Sequence, residues 1–136
     1  MKIEFEEIRL RTSRRIEVID ITREVEEIVR NSGVKEGICF IFCPHATCFL
    51  ILEEAESGLL EDIKGKIEED FLNREYKHDR IDDNAFSHLA SGFYYQGRLI
   101  PIKDGRLLRG TWQNVLFVEV DGPRSERRII VEILGK

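Results

Sequence analysis

The chain has no long uninterrupted hydrophobic run, and this absence sets the first limits on its class. A membrane-spanning helix needs about 18–20 consecutive apolar residues. None of the apolar runs in the 136 residues approaches that length. The N-terminal segment MKIEFEEIRLRTSRR also lacks the apolar core that a signal peptide requires. We therefore expect a protein that does not interact with membranes and stays in the cytoplasm.

Cysteine is scarce, with three residues at positions 39, 43 and 48. An odd number at these spacings makes a poor disulfide framework and matches no zinc knuckle. In an extended strand over residues 38–43, Cys39 and Cys43 share one face. We interpret the three as buried thiols, which behave as small apolar groups. A metal-facing or reactive Cys43 or Cys48 is the alternative.

Several sequence motifs of common enzyme classes are also missing. The chain has no P-loop, no glycine-rich dinucleotide fingerprint and no G-x-S-x-G nucleophile elbow. Its 21 basic and 26 acidic side chains leave a net charge of −5, which is unlike a general nucleic-acid binder. With 35% charged residues and only two glutamines, the composition resembles a thermophile surface rich in ion pairs.

The apolar pattern that is present predicts one α+β domain over residues 1–136. The length fits a single domain, and no repeat or flexible linker interrupts it. Helices are predicted from about Asp20 or Thr22 to Arg30, from Glu54 to Phe71, and from Asn84. The predicted strands cover residues 3–11, 16–20, 37–43, 48–52, 98–102, 106–109, 114–120 and 127–134. Two or three unevenly placed helices among so many strands favour a largely antiparallel, β-sandwich-like core.

Three local features predict how some of these strands are arranged. A slip of the apolar alternation at Glu6–Glu7 predicts a bulge in the first strand. Asp104–Gly105 is a typical hairpin turn between 98–102 and 106–109. Strands 114–120 and 127–134 are expected to pair with each other across the turn at 121–124.

The histidines are the first candidates for chemistry. His45 follows a proline and interrupts two buried strands, where a polar group without a partner is costly. His78 and His88 bracket an acidic stretch that ends at Asp83. Three imidazoles and a carboxylate suit zinc or a similar ion, with one position left for water or substrate. Three unrelated histidines remain an open alternative at this point, because no local H-x-x-x-H pair occurs.

Three further positions have both a functional and a structural interpretation. Glu54 can act as a general base or support His45, or it can simply stabilise a helix N-terminus. The Gly110–Gln113 segment can offer backbone N–H groups to an anion, or it can be a turn with a core Trp112. Arg124 can bind phosphate through its guanidinium or belong to an ordinary turn.

Four segments together resemble the YjbQ-type family, also called secondary thiamine-phosphate synthases. Pro44–Thr47 with Leu50–Glu54 resembles the family's "HTT/HTS…LTLNEN" signature. Asp83–Leu89 resembles "D-N-x-H-S-H-L", Gly110–Gln113 matches "GTWQ", and Asp121–Arg124 matches "DGPR". Their order and spacing agree from about residue 5 to residue 133, which makes the resemblance specific.

The resemblance implies an α+β fold around a sandwich-like core, usually assembled as a trimer, with a polar pocket around the histidines. In some members that pocket holds a metal, which favours the three-histidine site over the alternative. The implied metal ligands, for zinc or magnesium, are His45, His78 and His88. The implied catalytic residues are Glu54, Asp83 and Gln113. The implied substrate or phosphate contacts are Thr47, Asn84, Thr111 and Arg124.

The implied activity is a weak thiamine-phosphate synthase acting on phosphorylated small molecules. Such an enzyme joins a thiazole phosphate to a pyrimidine-methyl diphosphate and releases pyrophosphate. Two alternatives stay open: a non-catalytic metal or anion-binding oligomer that senses a metabolite, and a metal-dependent phosphate-ester hydrolase.

The chain departs from the family pattern near the implied pocket. Ala46 stands where a hydroxyl residue is common, and Glu53 and Ala55 replace asparagines beside Glu54. Phe86 occupies a position that is often histidine, and residues 92–96 differ from the usual "LLGPS". These departures bear on the substrate range and metal affinity more than on the fold.

Overall fold

Two antiparallel sheets and three α-helices build the chain. A computed structural model describes residues 1–136. The strands are β1 (Lys2–Thr12), β2 (Glu17–Asp20), β3 (Gly37–Phe42), β4 (Cys48–Glu53), β5 (Gly97–Lys103), β6 (Arg106–Leu107), β7 (Asn114–Glu119) and β8 (Arg124–Gly135). The helices are α1 (Thr22–Ser32), α2 (Ser57–Ile67) and α3 (Ala85–Tyr94). The predicted α+β class is confirmed.

The sheets stack as a sandwich with the main core between them. One sheet has the strand order β1-β8-β3-β5-β6 and the other the order β2-β7-β4. Successive residues of β4 point to opposite faces, so Leu50 enters the main core while Phe49 packs under α2 and α3 on the other side. Helix α1 adds Val25 and Val29 to the main core and ends at Gly33, whose φ is +73°.

The expected pairing of 114–120 with 127–134 is wrong, because β7 and β8 belong to different sheets. β7 is buried on both faces and lies between β2 and β4, which take both of its edges. β8 pairs along its length with β1 and β3. The chain therefore crosses from one sheet to the other at residues 120–123, and this segment is no hairpin turn.

The predicted bulge at Glu6–Glu7 is also wrong. The β1–β8 register is continuous from Lys2 to Leu10 and shifts only between Leu10 and Thr12. The apparent slip has another cause: Ile8 points into the core, whereas Ile3 and Phe5 lie on the outer face and are 66% and 57% exposed. Apolar residues on both faces of one strand therefore give the same sequence pattern as a bulge.

Two other local predictions have mixed outcomes. The Asp104–Gly105 hairpin is confirmed, with positive φ at both residues and Ile102 paired with Leu107. The second helix begins later than predicted, at Ser57, because the Glu56 carboxylate accepts hydrogen bonds from the backbone N–H groups of residues 58 and 59. Glu54 therefore precedes the helix, and the predicted stabilisation of a helix N-terminus does not apply to it.

The helix predicted at Asn84 is present as α3, but the Asn84 side chain does not cap it. The first N–H of the helix, at Ala85, donates instead to Oδ1 of Asp79 at 3.0 Å. This leaves the Asn84 amide free for contacts outside the helix.

All three cysteines are buried and unpaired, in line with the interpretation as apolar-like thiols. Burial raises the pKa of Cys39 to about 12. A hydrogen bond with Cys48, together with burial, raises the pKa of Cys43. The Cys39 and Cys43 thiols are therefore neutral at physiological pH. No helix of the chain combines the length and the apolar character that crossing a membrane requires.

Candidate functional site

The predicted site residues lie at two opposite ends of the three-stranded sheet. In the β4–β7 pairing, Cys48 faces Glu119 at one end and Glu53 faces Asn114 at the other. A strand rises about 3.3 Å per residue, so the five steps along β7 separate the two ends by roughly 16 Å. The histidine end comprises Thr47, His78, Asn84, His88, Asp121 and Arg124. The tryptophan end comprises Glu54, Thr111, Trp112 and Gln113.

A chain of hydrogen bonds orients His78 at the histidine end. Nδ2 of Asn84 donates to Oδ2 of Asp121 at 3.0 Å, so Oδ1 of the amide faces Nε2 of His78, also at 3.0 Å. An amide oxygen only accepts, so Nε2 of His78 carries the hydrogen of this bond. The lone pair of a neutral His78 is then at Nδ1. The arrangement fixes the ring and its tautomer, as a carboxylate does for many functional histidines.

His88 and Arg124 complete the polar surface around His78. The His78 and His88 rings meet edge to face with their centroids 4.9 Å apart. Nη2 of Arg124 donates to Oδ2 of Asp121 at 2.7 Å, and its Nε donates to the Asp121 carbonyl at 3.0 Å. The Arg124 side chain is still 47% exposed. The histidine end thus presents two imidazoles and a guanidinium to solvent.

A buried ion pair supports this end from beneath. Nη2 of Arg127 meets Oε2 of Glu119 at 2.5 Å, and the two side chains are 5% and 0% exposed. The Thr12 hydroxyl donates to Glu119 at 2.8 Å and accepts from the backbone N–H of Arg124 at 2.9 Å. The pair therefore holds the start of β8, from which Arg124 projects.

Thr47 belongs to this buried network. Its hydroxyl and its carbonyl both accept hydrogen bonds from Nη2 of Arg127, at 3.0 and 3.1 Å. The residue is only 7% exposed. In this structure Thr47 positions Arg127, and its hydroxyl does not face an open pocket.

His45 is attached to β8 beside the buried pair. Its Nε2 accepts from the backbone N–H of Arg128 at 3.0 Å. Burial and the positive charge of Arg127 lower the pKa of His45 below its ordinary value. The ring is therefore neutral at pH 7, and its hydrogen is on Nδ1.

We expect the ring protons of His45 to titrate with a midpoint below the usual value of about 6.5. The unfolded chain binds this proton more readily than the folded chain, so the stability that neutral His45 contributes is present above about pH 6.5. It is lost as the pH falls through the folded-state pKa. NMR titration measures the midpoint, and a midpoint at or above 6.5 contradicts the prediction. The variant His45→Gln lacks this titration. Its unfolding free energy is therefore expected to decrease less between about pH 7 and 5.5 than that of the wild type.

The tryptophan end is a closed turn that exposes its aromatic residue. The backbone N–H of Gly110 donates to Oε1 of Gln113 at 2.7 Å, and the N–H of Gln113 donates back to the Gly110 carbonyl at 3.0 Å. Trp112 is 70% exposed, so the alternative of a core tryptophan is wrong. Glu54 is half-buried, and its backbone N–H donates to the Glu53 carboxylate at 3.0 Å.

Asp83 is exposed beside Asn84 and is held through its backbone. Nη2 of Arg15 donates to the Asp83 carbonyl at 3.0 Å, while the Arg15 guanidinium lies 4.5 Å from the centre of the Phe86 ring. The carboxylate remains open to solvent, so a predicted catalytic role for it depends on a ligand or a neighbouring subunit.

Comparison with known proteins decides the family. The family model described as "UPF0047 protein YjbQ-like" matches residues 6–136. The chain belongs to this family. A UPF0047 protein of Archaeoglobus fulgidus is 43% identical over 129 residues, which cover 94% of this chain and 99% of the relative. A UPF0047 protein of Methanothermobacter thermautotrophicus is 41% identical over 137 residues, covering 100% of this chain and 95% of the relative.

Solved structures agree with this membership in the YjbQ-like family. A crystal structure of a YbjQ-like protein of unknown function from Sulfolobus solfataricus P2 shares 51% identity at a TM-score of 0.98, covering 99% of each chain. A crystal structure of a hypothetical protein from Aeropyrum pernix K1 shares 40% identity at a TM-score of 0.94, covering 98% of this chain and 99% of the other. The two-sheet architecture is thus shared with experimental structures.

The metal that the YjbQ-type resemblance implies does not fit the donors of a single chain. No group of three or more His, Cys, Asp or Glu side chains is arranged to hold an ion. His78 and His88 supply two neighbouring imidazoles, but Nε2 of His45 is engaged with Arg128. Most protein zinc sites use three or four protein ligands. Zinc or magnesium at the three histidines therefore stays a prediction that needs a ligand from outside this chain.

The residues that support the histidine end were missed by sequence reasoning. Glu119 is the one charged residue of β7, Arg127 lies in the charged run RSERR at the start of β8, and Asp121 is part of a predicted turn. A charge in a buried strand needs a partner, and this signal could have identified Glu119. Its partner could not be identified in the same way, because Arg127 lies in the other sheet.

Proposed function

We propose that this chain is the subunit of a homotrimeric enzyme that acts on a phosphorylated small molecule. Its pocket would lie between subunits, where the histidine end of one chain meets the tryptophan end of the next. The observation that carries the proposal is the separation of the motif residues, roughly 16 Å apart along β7 in one chain. Residues such as His78 and Glu54 can act on one substrate only if a second copy brings the two ends together.

Exposed apolar side chains support such an assembly. Trp112 and Leu108 are 70% and 60% exposed beside the tryptophan end. On the outer face of the five-stranded sheet, Phe5 and Leu99 are 57% and 59% exposed in one cross-strand row with the half-buried Phe40. The exposed Glu132 stands between Phe5 and Phe40 in this row. Apolar side chains exposed together in this way, with a polar residue among them, are found at protein interfaces. A head-to-tail contact between different surfaces closes into a ring when its rotation allows.

The specific reaction we propose is the transfer catalysed by thiamine-phosphate synthases. The ring nitrogen of a thiazole phosphate attacks the methylene carbon of a pyrimidine-methyl diphosphate. The carbon–oxygen bond breaks, and pyrophosphate leaves with the electron pair. No proton needs to leave the attacking nitrogen, so the main catalytic task is to stabilise the charge that develops on the leaving group.

The histidine end has the chemistry for this task. Arg124 offers a fixed positive charge, and its contacts with Asp121 restrict where the guanidinium points. A protonated His78 can donate from Nδ1 to a phosphate oxygen, because its Nε2 hydrogen is engaged with Asn84. Asp121 and Asn84 act as positioning residues that keep the ring in this orientation.

We expect purified protein to form thiamine phosphate from the two substrates with added magnesium, and His78→Ala to be at least about 100-fold slower, as is typical when a donor that stabilises developing charge is removed. The assay measures thiamine phosphate and released pyrophosphate together. Glu75→Gln, a change at an exposed residue outside both ends, is the control and should retain full activity.

Three outcomes would contradict the proposal. Equal turnover by wild type and His78→Ala would show that the histidine end has no role in the reaction. Tight ligand binding without any product would favour a metabolite sensor. Release of orthophosphate from a generic phosphate ester, without thiamine phosphate, would favour a hydrolase.

A further inference from the structure

A basic cleft lies between α1 and the β5–β6 hairpin and extends to the Gly110–Gln113 turn. Its volume is about 720 Å³, within the range of small-molecule sites. Four cationic side chains line it, and only two of the lining residues are apolar. The cations are Arg30, Lys35, Arg106 and Arg109. Two acidic side chains, Glu26 and Asp104, also line it, so the cleft has an excess of two positive charges in a chain whose net charge is −5.

Three of these cations have no carboxylate partner. Arg109 is paired with Glu26 at 2.6 Å and also donates to the Gln113 carbonyl at 2.9 Å, so it serves the turn. Arg30, Lys35 and Arg106 form no ion pair within the chain, and Asp104 is the remaining acidic residue in the cleft. Apart from the Arg109–Glu26 ion pair, the cleft is lined by three cationic side chains and one carboxylate.

The hairpin turn positions Lys35 in the cleft. Gly105 has a φ of +78°, and its backbone N–H donates to the Lys35 carbonyl at 3.0 Å. A Cβ at Gly105 would lie only 3.3–3.4 Å from Cδ and Nζ of Lys35. The lysine side chain therefore lies along the glycine, where a larger residue would crowd it. Arg106 follows directly on the same hairpin.

We infer that this cleft binds the diphosphate group of a small substrate, through Lys35, Arg106 and Arg30. Guanidinium and ammonium groups form strong, charge-assisted hydrogen bonds with phosphate oxygens. Three cations contributed by separate elements suit two linked phosphates better than one. The exposed Thr111 also lines the cleft and can add a hydroxyl donor. Because Thr111 belongs to the tryptophan end, the inference rests on the proposed function and deepens it by assigning the residues of that end that hold the diphosphate of the substrate.

Isothermal titration calorimetry with inorganic pyrophosphate tests this inference without requiring turnover. We expect one saturable site per chain and an affinity for orthophosphate at least about tenfold lower, because fewer charge-assisted bonds form. Arg106→Gln is expected to weaken pyrophosphate binding about tenfold or more, and Lys35→Gln combined with Arg106→Gln should abolish it. Arg74→Gln is the matched control, because it removes an exposed cation outside the cleft and should leave binding unchanged.

The outcomes separate this inference from the proposed function. Absence of pyrophosphate binding, or equal binding by wild type and Arg106→Gln, would overturn the inference. An equal loss in Arg74→Gln would also overturn it, because binding would then depend only on overall charge. Specific pyrophosphate binding without thiamine phosphate formation would retain the cleft as an anion site and reject the synthase reaction alone.

Discussion

Replacing Glu119 with alanine is expected to lower the free energy of unfolding by about 3–5 kcal/mol, as is typical when one member of a buried ion pair is removed. Glu119 is fully buried and accepts from Arg127, Thr12 and the backbone N–H of Asp121. Without the carboxylate, the Arg127 guanidinium remains buried with its charge uncompensated. Denaturant-induced unfolding, followed by circular dichroism, measures the change.

Two further variants control this experiment. Glu119→Leu combined with Arg127→Met replaces both charges by apolar groups and should recover much of the lost stability, since such exchanges are often neutral. Glu36→Ala removes one partner of the surface pair with Lys103 and should cost no more than about 1 kcal/mol. If Glu119→Ala costs no more than Glu36→Ala, the Glu119–Arg127 pair does not stabilise the histidine end as described.

The sequence predicted elements better than their arrangement, and the reason is physical. The alternation of apolar residues depends on neighbours along one strand, so the strands and the Asp104–Gly105 turn were predicted closely. Pairing depends on distant segments. β7 and β8 are adjacent in sequence but lie in different sheets, because β2 and β4 occupy both edges of β7.

The outward apolar residues of β1 show a second limit. The bulge prediction follows from placing every apolar residue of β1, including Ile3 and Phe5, on one buried face. Ile3 and Phe5 lie on a face that is open in the single chain. Periodicity alone cannot distinguish apolar residues on an open face from apolar residues of the core.

The candidate site was predicted in part for a similar reason. The motif residues were identified, and His78, Asn84, His88 and Arg124 do lie together. The polar residues that orient them were missed, because their bonds link segments far apart in sequence: Thr12 with Glu119, and Asn84 with Asp121. The separation of Glu54 from His78 could not be read from the sequence either, because it follows from the direction of β4 within its sheet.

In the proposed trimer, a mixture of His78→Ala and Glu54→Gln subunits is expected to recover activity that neither variant has alone. His78 belongs to the histidine end and Glu54 to the tryptophan end, so one pocket takes each from a different chain. After dissociation and random reassembly of equal amounts, each pocket lies between two subunits. It is intact when the subunit on its histidine side has an unchanged His78 and the subunit on its tryptophan side has an unchanged Glu54. This gives about one quarter of wild-type activity in a closed ring of identical contacts. The thiamine-phosphate assay after subunit exchange measures it.

A chain carrying both substitutions makes the decisive control when it is mixed with wild type. If pockets are shared, each needs two wild-type neighbours, and about one quarter of the activity remains in a ring of identical contacts. If each pocket lies within one chain, about one half remains, and the mixture of single variants stays inactive. A shared pocket thus gives about one quarter of the activity in both mixtures. A pocket within one chain gives none in the mixture of single variants and about one half in the mixture of the double variant with wild type. About half of the activity with wild type, and none in the mixture of single variants, would reject the shared pocket even if the protein is a trimer. Assembly would then bury apolar surface without completing the site.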